Sequence, residues 1–151
     1  MNKFMKIALI EAKKAYSRKE VPVGAVIVKD DIVIAKAYNL REYKQTSLAH
    51  AEILAIAKAC KKLNSWRLDG CTMYVTLEPC LMCAGAITQS RIKKVVIGAL
   101  DEKNGVVESI ANVFEIKTTT KVEYEIENEE ECSKILTNFF KELRDNKSKS
   151  S

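Results

Sequence analysis

The fold is decided by the stretch TMYVTLEPCLMC, residues 72–83. Its first five residues are mostly β-branched or aromatic and predict a strand. Pro79 then predicts the start of a helix, because the N–H that proline lacks has no partner in the first helical turn. This helix is expected to end near Ser90, before another strand over 94–98. The order strand, helix, strand predicts parallel pairing with helices on the faces of the sheet.

The remaining elements follow from helical or strand periodicity. They are a helix over 4–16, a hairpin of strands 25–28 and 32–37, a loop over 38–47, a helix over 49–63 with Ser47 as its N-cap, a short helix over 109–114, a fifth strand over 122–126 and a last helix over 129–144. The first hairpin strand is almost wholly apolar, which predicts that both of its faces are covered. We expect an α/β fold of three layers, α/β/α, around a five-stranded mixed sheet. Residues 1–146 are expected to form a single domain, followed by a frayed tail over 147–151.

The composition is that of an ordinary globular protein. The chain has 151 residues, of which 47% are hydrophobic and 30% charged. Neither a signal peptide nor an apolar run long enough to cross a membrane is recognised. Five cysteines without an export signal predict reduced thiols in the cytoplasm. A net charge of +5 is compatible with a polyanionic partner and does not require one.

The cysteines of the opening stretch predict a metal site. Cys80 and Cys83 are expected at the positive end of a helix, which favours the thiolate form that metals bind. The chain has one histidine, His50, at another predicted helix start. Two cysteines and one histidine leave the fourth position of a zinc ion open, as in catalytic sites. Zinc lowers the pKa of bound water towards neutrality, and Glu52, two residues after His50, could move the proton.

Other interpretations fit the same residues. A C-x-x-C pair is also typical of redox centres and of half of a structural zinc site. A histidine that opens a helix also fits a cap or a core residue. Cys60, Cys71 and Cys132 could close a structural site, although each fits an apolar helix stripe or strand better.

A family resemblance follows from longer motifs. The pattern H-x-E followed by P-C-x-x-C is the known signature of zinc nucleobase deaminases. Over nearly its whole length the chain resembles the bacterial tRNA-specific adenosine deaminases, which have the cytidine deaminase-like fold. The resembling stretches are residues 21–25, 50–53, 76–86 and 90–92, the pattern Asp101-x-Lys103-x-Gly105, and Phe139-Phe140.

The resemblance implies a zinc-dependent hydrolase that converts adenosine to inosine at the wobble position of a tRNA anticodon. It also implies a homodimer in the cytoplasm, with the tRNA anticodon loop as partner and one zinc ion per chain. The residues it implies are His50, Cys80 and Cys83 as zinc ligands, Glu52 as the catalytic proton shuttle, and Asn39, Ala51 and Asp101 as substrate-binding residues.

Two departures from the family pattern concern substrate binding. Leu48 stands where a small polar residue is usual, and an Asn-His pair is missing around Thr119. A free nucleobase or nucleoside deaminase, of guanine or cytosine type, therefore stays as an alternative on the same scaffold. A non-catalytic, zinc-stabilised RNA-binding subunit is a further alternative, although a purely structural zinc would have no use for Glu52.

Overall fold

The computed structural model describes residues 1–118 and 120–150, without the side chains of residues 149 and 150. Thr119, where the sequence departs from the family pattern, lies outside the described residues, as does Ser151 at the end of the expected tail. The elements are α1 (Lys3–Ser17), β1 (Gly24–Lys29), β2 (Ile32–Tyr38), α2 (Arg41–Lys44), α3 (Ala51–Leu63), β3 (Thr72–Val75), α4 (Leu81–Gln89), β4 (Lys94–Ile97), a 3-10 turn (Val113–Glu115), β5 (Glu123–Ile126) and α5 (Glu130–Ser150).

The strands form one five-stranded sheet in the order β2-β1-β3-β4-β5. β1 pairs antiparallel with both β2 and β3, whereas β3–β4 and β4–β5 are parallel. Met73 of β3 lies opposite Val95 of β4, the strand reached after α4. The expected mixed sheet and the parallel strand–helix–strand unit are therefore confirmed.

Helices cover the sheet on both faces, which gives the expected three layers. Ala25 and Ile27 of β1 pack into a core with residues of α3 and α4. Val26 and Val28 of the same strand face a second core, formed with α1 and with Cys132 of α5. The continuous apolar run in β1 thus serves both faces, as predicted.

Helix α1 lies unusually close to the start of β1. A Cβ atom at Gly24 would overlap the Ala8 carbonyl oxygen and lie 2.7 Å from the Ala12 nitrogen. Only a residue without a side chain lets the helix approach this strand so closely. Asn2 caps the same helix, since its side-chain oxygen accepts hydrogen bonds from the Phe4 and Met5 N–H groups.

Two local predictions between β2 and α3 are wrong. The expected loop contains the four-residue helix α2, whose first N–H groups are bound by Glu20. Ser47 is not a cap, because α3 begins at Ala51 with His50 in the capping position.

Two predictions in the C-terminal third are also wrong. Residues 109–112 are not helical, because the Ser109 N–H and hydroxyl both bind Glu78, and only the 3-10 turn remains. Helix α5 continues to Ser150, six residues beyond its expected end at Arg144. Neither glycine nor proline occurs between Arg144 and Ser150 to stop the helix. No helix in the described part of the chain combines the length and apolar character needed to cross a membrane.

Candidate active site

Two helix starts on the same face of the sheet bring the predicted metal ligands together. His50 has extended backbone angles and precedes the first turn of α3. Strand β3 leads through Glu78 and Pro79 to Cys80, which is the N-cap of α4, with Cys83 in its first turn. The helix therefore begins after Cys80, two residues later than Pro79 predicts.

The three side chains converge on one point. The His50 Nδ1 atom lies 3.7 Å from the Cys80 sulfur and 3.5 Å from the Cys83 sulfur. In a tetrahedral zinc site, with Zn–S bonds of about 2.3 Å and Zn–N bonds of about 2.0 Å, nitrogen and sulfur are about 3.5 Å apart. The donor set and its spacing therefore fit zinc.

Among the described residues, this is the single group of three or more His, Cys, Asp or Glu side chains placed to hold a metal ion. No fourth side chain of these types joins it there. Cys71 and Cys132 are both buried in the apolar cores instead. The group offers three candidate ligands, which is the number typical of catalytic zinc sites, whereas structural sites have four.

The two thiols differ in acidity. A hydrogen bond from the Cys83 thiol and the nearby His50 lower the pKa of Cys80 to about 4. The same hydrogen bond and burial raise the pKa of Cys83. Hydrogen bonding to Cys80 raises the pKa of His50. The surroundings of Cys80 therefore favour its thiolate, which is the form that binds a metal cation.

Glu52 lies in the first turn of α3 and is only 4% exposed. Burial raises the pKa of its carboxyl to about 7, and the negative charge of Cys80 acts in the same direction. A carboxyl with a pKa near neutrality can both accept and return a proton, which suits general acid–base catalysis.

A cleft of about 1150 Å³ opens above these residues. This is larger than the volume of about 300–1000 Å³ that small-molecule pockets usually have. Its wall is built from five regions of the chain: residues 21–23 before β1, residues 39–52 up to the first turn of α3, residues 77–82 at the start of α4, the segment over 100–110 and one face of α5. The predicted site residues that line it are Asn39, His50, Ala51, Glu52, Cys80 and Asp101, while Cys83 is fully buried.

The predicted substrate-binding residues also make contacts within the chain. Asn39 donates to the Val21 carbonyl oxygen and accepts from the Arg41 N–H, which leaves one amide hydrogen and one lone pair for a ligand. Asp101 accepts hydrogen bonds from the N–H groups of residues 103 and 104 and so forms a turn. Leu48, which departs from the family pattern, is 58% exposed and is not one of the residues that line the cleft.

Sequence reasoning missed two buried carboxylates, Glu20 and Glu78, of which Glu78 lines the cleft. Glu20 is 1% exposed and accepts the N–H groups of Glu42 and Tyr43 in α2. Glu78 is 2% exposed, and hydrogen bonds from residues 101–109 overcome burial and lower its pKa. The sequence signal that could have identified Glu78 is its position: it is an acidic residue between an apolar strand and the Pro79-Cys80 helix start.

Comparisons with known proteins agree with this geometry. Residues 1–144 match the family model of MafB19-like deaminases. The tRNA-specific adenosine deaminase of Aquifex aeolicus is 50% identical over 144 residues, which cover 95% of each chain. A structure solved in a study of A-to-I editing by tRNA:A34 deaminases superposes with a TM-score of 0.85 at 44% identity and covers 88% of this chain and 98% of that one.

A guanine deaminase of Bacillus subtilis is also similar, with a TM-score of 0.62 and 33% identity over 79% of this chain and 88% of that one. Both the resemblance read from the sequence motifs and the expected fold are therefore confirmed. The chain belongs to the MafB19-like deaminase family, in the group of the tRNA-specific adenosine deaminases.

Proposed function

We propose that this chain is a zinc-dependent hydrolase that converts adenosine to inosine at the wobble position of a tRNA anticodon. One observation carries the chemistry: His50, Cys80 and Cys83 converge at the base of an open cleft, with the buried carboxyl of Glu52 beside them. The substrate follows from the full-length similarity to tRNA-specific adenosine deaminases.

In this proposal His50, Cys80 and Cys83 would hold one zinc ion per chain, which would lower the pKa of water so that it can act as a nucleophile at neutral pH. Glu52 accepts a proton from the attacking water and passes it to the purine ring nitrogen. Once the water oxygen is bonded to the ring carbon, Glu52 takes its second proton and delivers it to the amine. The water oxygen forms a bond to the ring carbon, the carbon–nitrogen bond breaks, and ammonia leaves.

The walls of the cleft orient the base. Asn39 has an amide hydrogen left for the nucleoside, and Ala51 begins α3, where the first N–H groups of a helix have no partner within the helix. Asp101 lies in the wall that we expect to contact the flanking nucleotides. The target base must leave its stack to reach Glu52, and the volume of the cleft suits a nucleotide with its neighbours.

The similarity to a guanine deaminase makes a free-base activity the second candidate. The zinc-loaded chain should be incubated separately with an anticodon stem-loop, adenosine, guanine and cytosine. Inosine in the RNA is measured by mass spectrometry after digestion, and ammonia by a coupled assay. We expect inosine in the stem-loop. Turnover of guanine without turnover of RNA would overturn the proposal, and tight RNA binding without any turnover would favour a non-catalytic subunit.

We also propose that the chain works as a homodimer in the cytoplasm and that residues 1–146 form its single deaminase domain. Several apolar side chains at the mouth of the cleft are exposed, which supports a protein contact there. They are Leu81, Ile110, Phe140 and Leu143. Light scattering coupled to gel filtration should give twice the chain mass, and a monomer at micromolar concentration would contradict the dimer.

A further inference from the structure

One buried carboxylate organises a segment of the cleft wall that has no regular structure. Glu78 accepts backbone N–H groups from Asp101 at 3.1 Å, Val107 at 3.0 Å, Glu108 at 2.8 Å and Ser109 at 3.0 Å. The hydroxyl of Ser109 donates to it as well. Five donors therefore converge on one side chain, all from a segment 23 to 31 positions further along the chain.

The segment over 101–109 passes the carboxylate at very short range. A Cβ atom at Gly105 would overlap the Glu78 carboxyl group. Among the described residues, no ion pair involves Glu78, so its buried charge is balanced by these hydrogen bonds. Hydrogen bonds to a charged acceptor are about twice as strong as neutral ones.

The same segment faces the ligand space. Asp101, Glu102, Lys103, Asn104 and Val106 line the cleft. No helix or strand includes them, since β4 ends at Ile97 and the 3-10 turn begins at Val113. At its start the segment is held by the contacts with Glu78 and by the hydrogen bond from the Val106 N–H to the Pro79 carbonyl oxygen. The side chains of Val106 and Val107, which pack into the apolar core, hold its second half as well.

We propose that Glu78 is a positioning residue whose carboxylate holds the backbone of residues 101–109 as one wall of the cleft and thereby sets the affinity for substrate. Glu78 itself borders the cleft, but at 2% exposure it offers a ligand almost no surface. It acts through the segment, and its effect on substrate rests on the proposed deaminase function.

Hydrogen exchange tests the positioning role without substrate. In Glu78→Gln one acceptor oxygen becomes an NH₂ group that faces donors. We expect the amides of residues 101–109 in the zinc-loaded chain to exchange about tenfold faster or more, while α3 and β3 keep their wild-type rates. Glu108→Gln is the matched control, because it removes the same charge from an exposed side chain of the segment and should leave exchange unchanged.

Kinetics with the anticodon stem-loop test the effect on substrate. We expect the KM of Glu78→Gln to rise about tenfold, equivalent to about 1.4 kcal/mol, with kcat within about twofold and zinc content unchanged. Gly105→Ala displaces the carboxyl from the other side and should give the same changes. Ser109→Ala removes part of the hydrogen bonding, should fold in any case, and should give a smaller change of the same kind.

Three results would overturn the role of Glu78. The first is an unchanged exchange rate over 101–109 in the variants, and the second is faster exchange with an unchanged KM. The third is a fall in kcat together with loss of zinc, because that would place the effect at Cys80. A wild-type chain without deaminase activity would instead overturn the proposed function. The exchange data would still show in that case whether Glu78 holds the wall.

Discussion

Replacing glycine by alanine should destabilise the protein at Gly24 and stabilise it at Gly85. In Gly24→Ala the new methyl group would overlap the Ala8 carbonyl oxygen and lie 2.7 Å from the Ala12 nitrogen, whereas carbon contacts are optimal at about 3.5–4.0 Å. Both neighbours are backbone atoms of α1, so the helix must move by about 1 Å and leave its packing on β1. We expect the free energy of unfolding to fall by about 3 kcal/mol, the upper end for overpacking.

Gly85→Ala is the matched control. Gly85 lies inside α4 on an exposed face, and an added Cβ meets no atom within 4 Å. Alanine in a helix interior is favoured over glycine by about 1 kcal/mol. For a chain of this size, the melting temperature should fall by about 6–12 °C in Gly24→Ala and rise by about 2–4 °C in Gly85→Ala. Circular dichroism melts of the zinc-loaded proteins measure both, and equal melting temperatures would refute this account of the packing of α1.

Three further predictions concern the site and the second core. Glu52→Gln should keep its zinc, measured by elemental analysis, yet lose about 10²–10⁴-fold in turnover, and near-native turnover would remove Glu52 from the mechanism. Removing zinc with a chelator should abolish turnover and lower the melting temperature, because an ion that binds only the folded chain stabilises it. His50→Ala should have the same two effects. An unchanged melting temperature would argue against a metal site that forms on folding. Burial raises the pKa of the Cys132 thiol to about 12, so at pH 8 about one molecule in 10⁴ carries the thiolate. Iodoacetamide should therefore leave Cys132 unmodified in the native protein and label it after unfolding, as judged by mass spectrometry.

The sequence predicts the parts of this structure that depend on local patterns. The apolar run of β1 indicated a strand buried on both faces, and the strand before Pro79 indicated the parallel unit. The C-x-x-C pair and the single histidine indicated a cluster that the structure brings within 4.8 Å.

The remaining parts depend on contacts between distant residues. Helix α2 has four residues, and its first N–H groups are bound by Glu20, 22 and 23 positions away. The expected helix over 109–114 does not form at its start, because Ser109 donates hydrogen bonds to Glu78, 31 positions earlier. Glu20 and Glu78 are charged residue types, yet in the fold both are buried hydrogen-bond acceptors. No local periodicity in the sequence predicts that they are buried.

The way in which Glu78 holds the cleft wall affects how this protein can change. Four of its five donors are main-chain N–H groups, which every amino acid except proline provides. Glu102, Lys103 and Asn104 line the cleft, and none of the five donors to Glu78 is a side chain of these residues. Evolution or directed mutagenesis can therefore vary these three positions to alter which RNA is accepted, without changing the backbone conformation of residues 101–109.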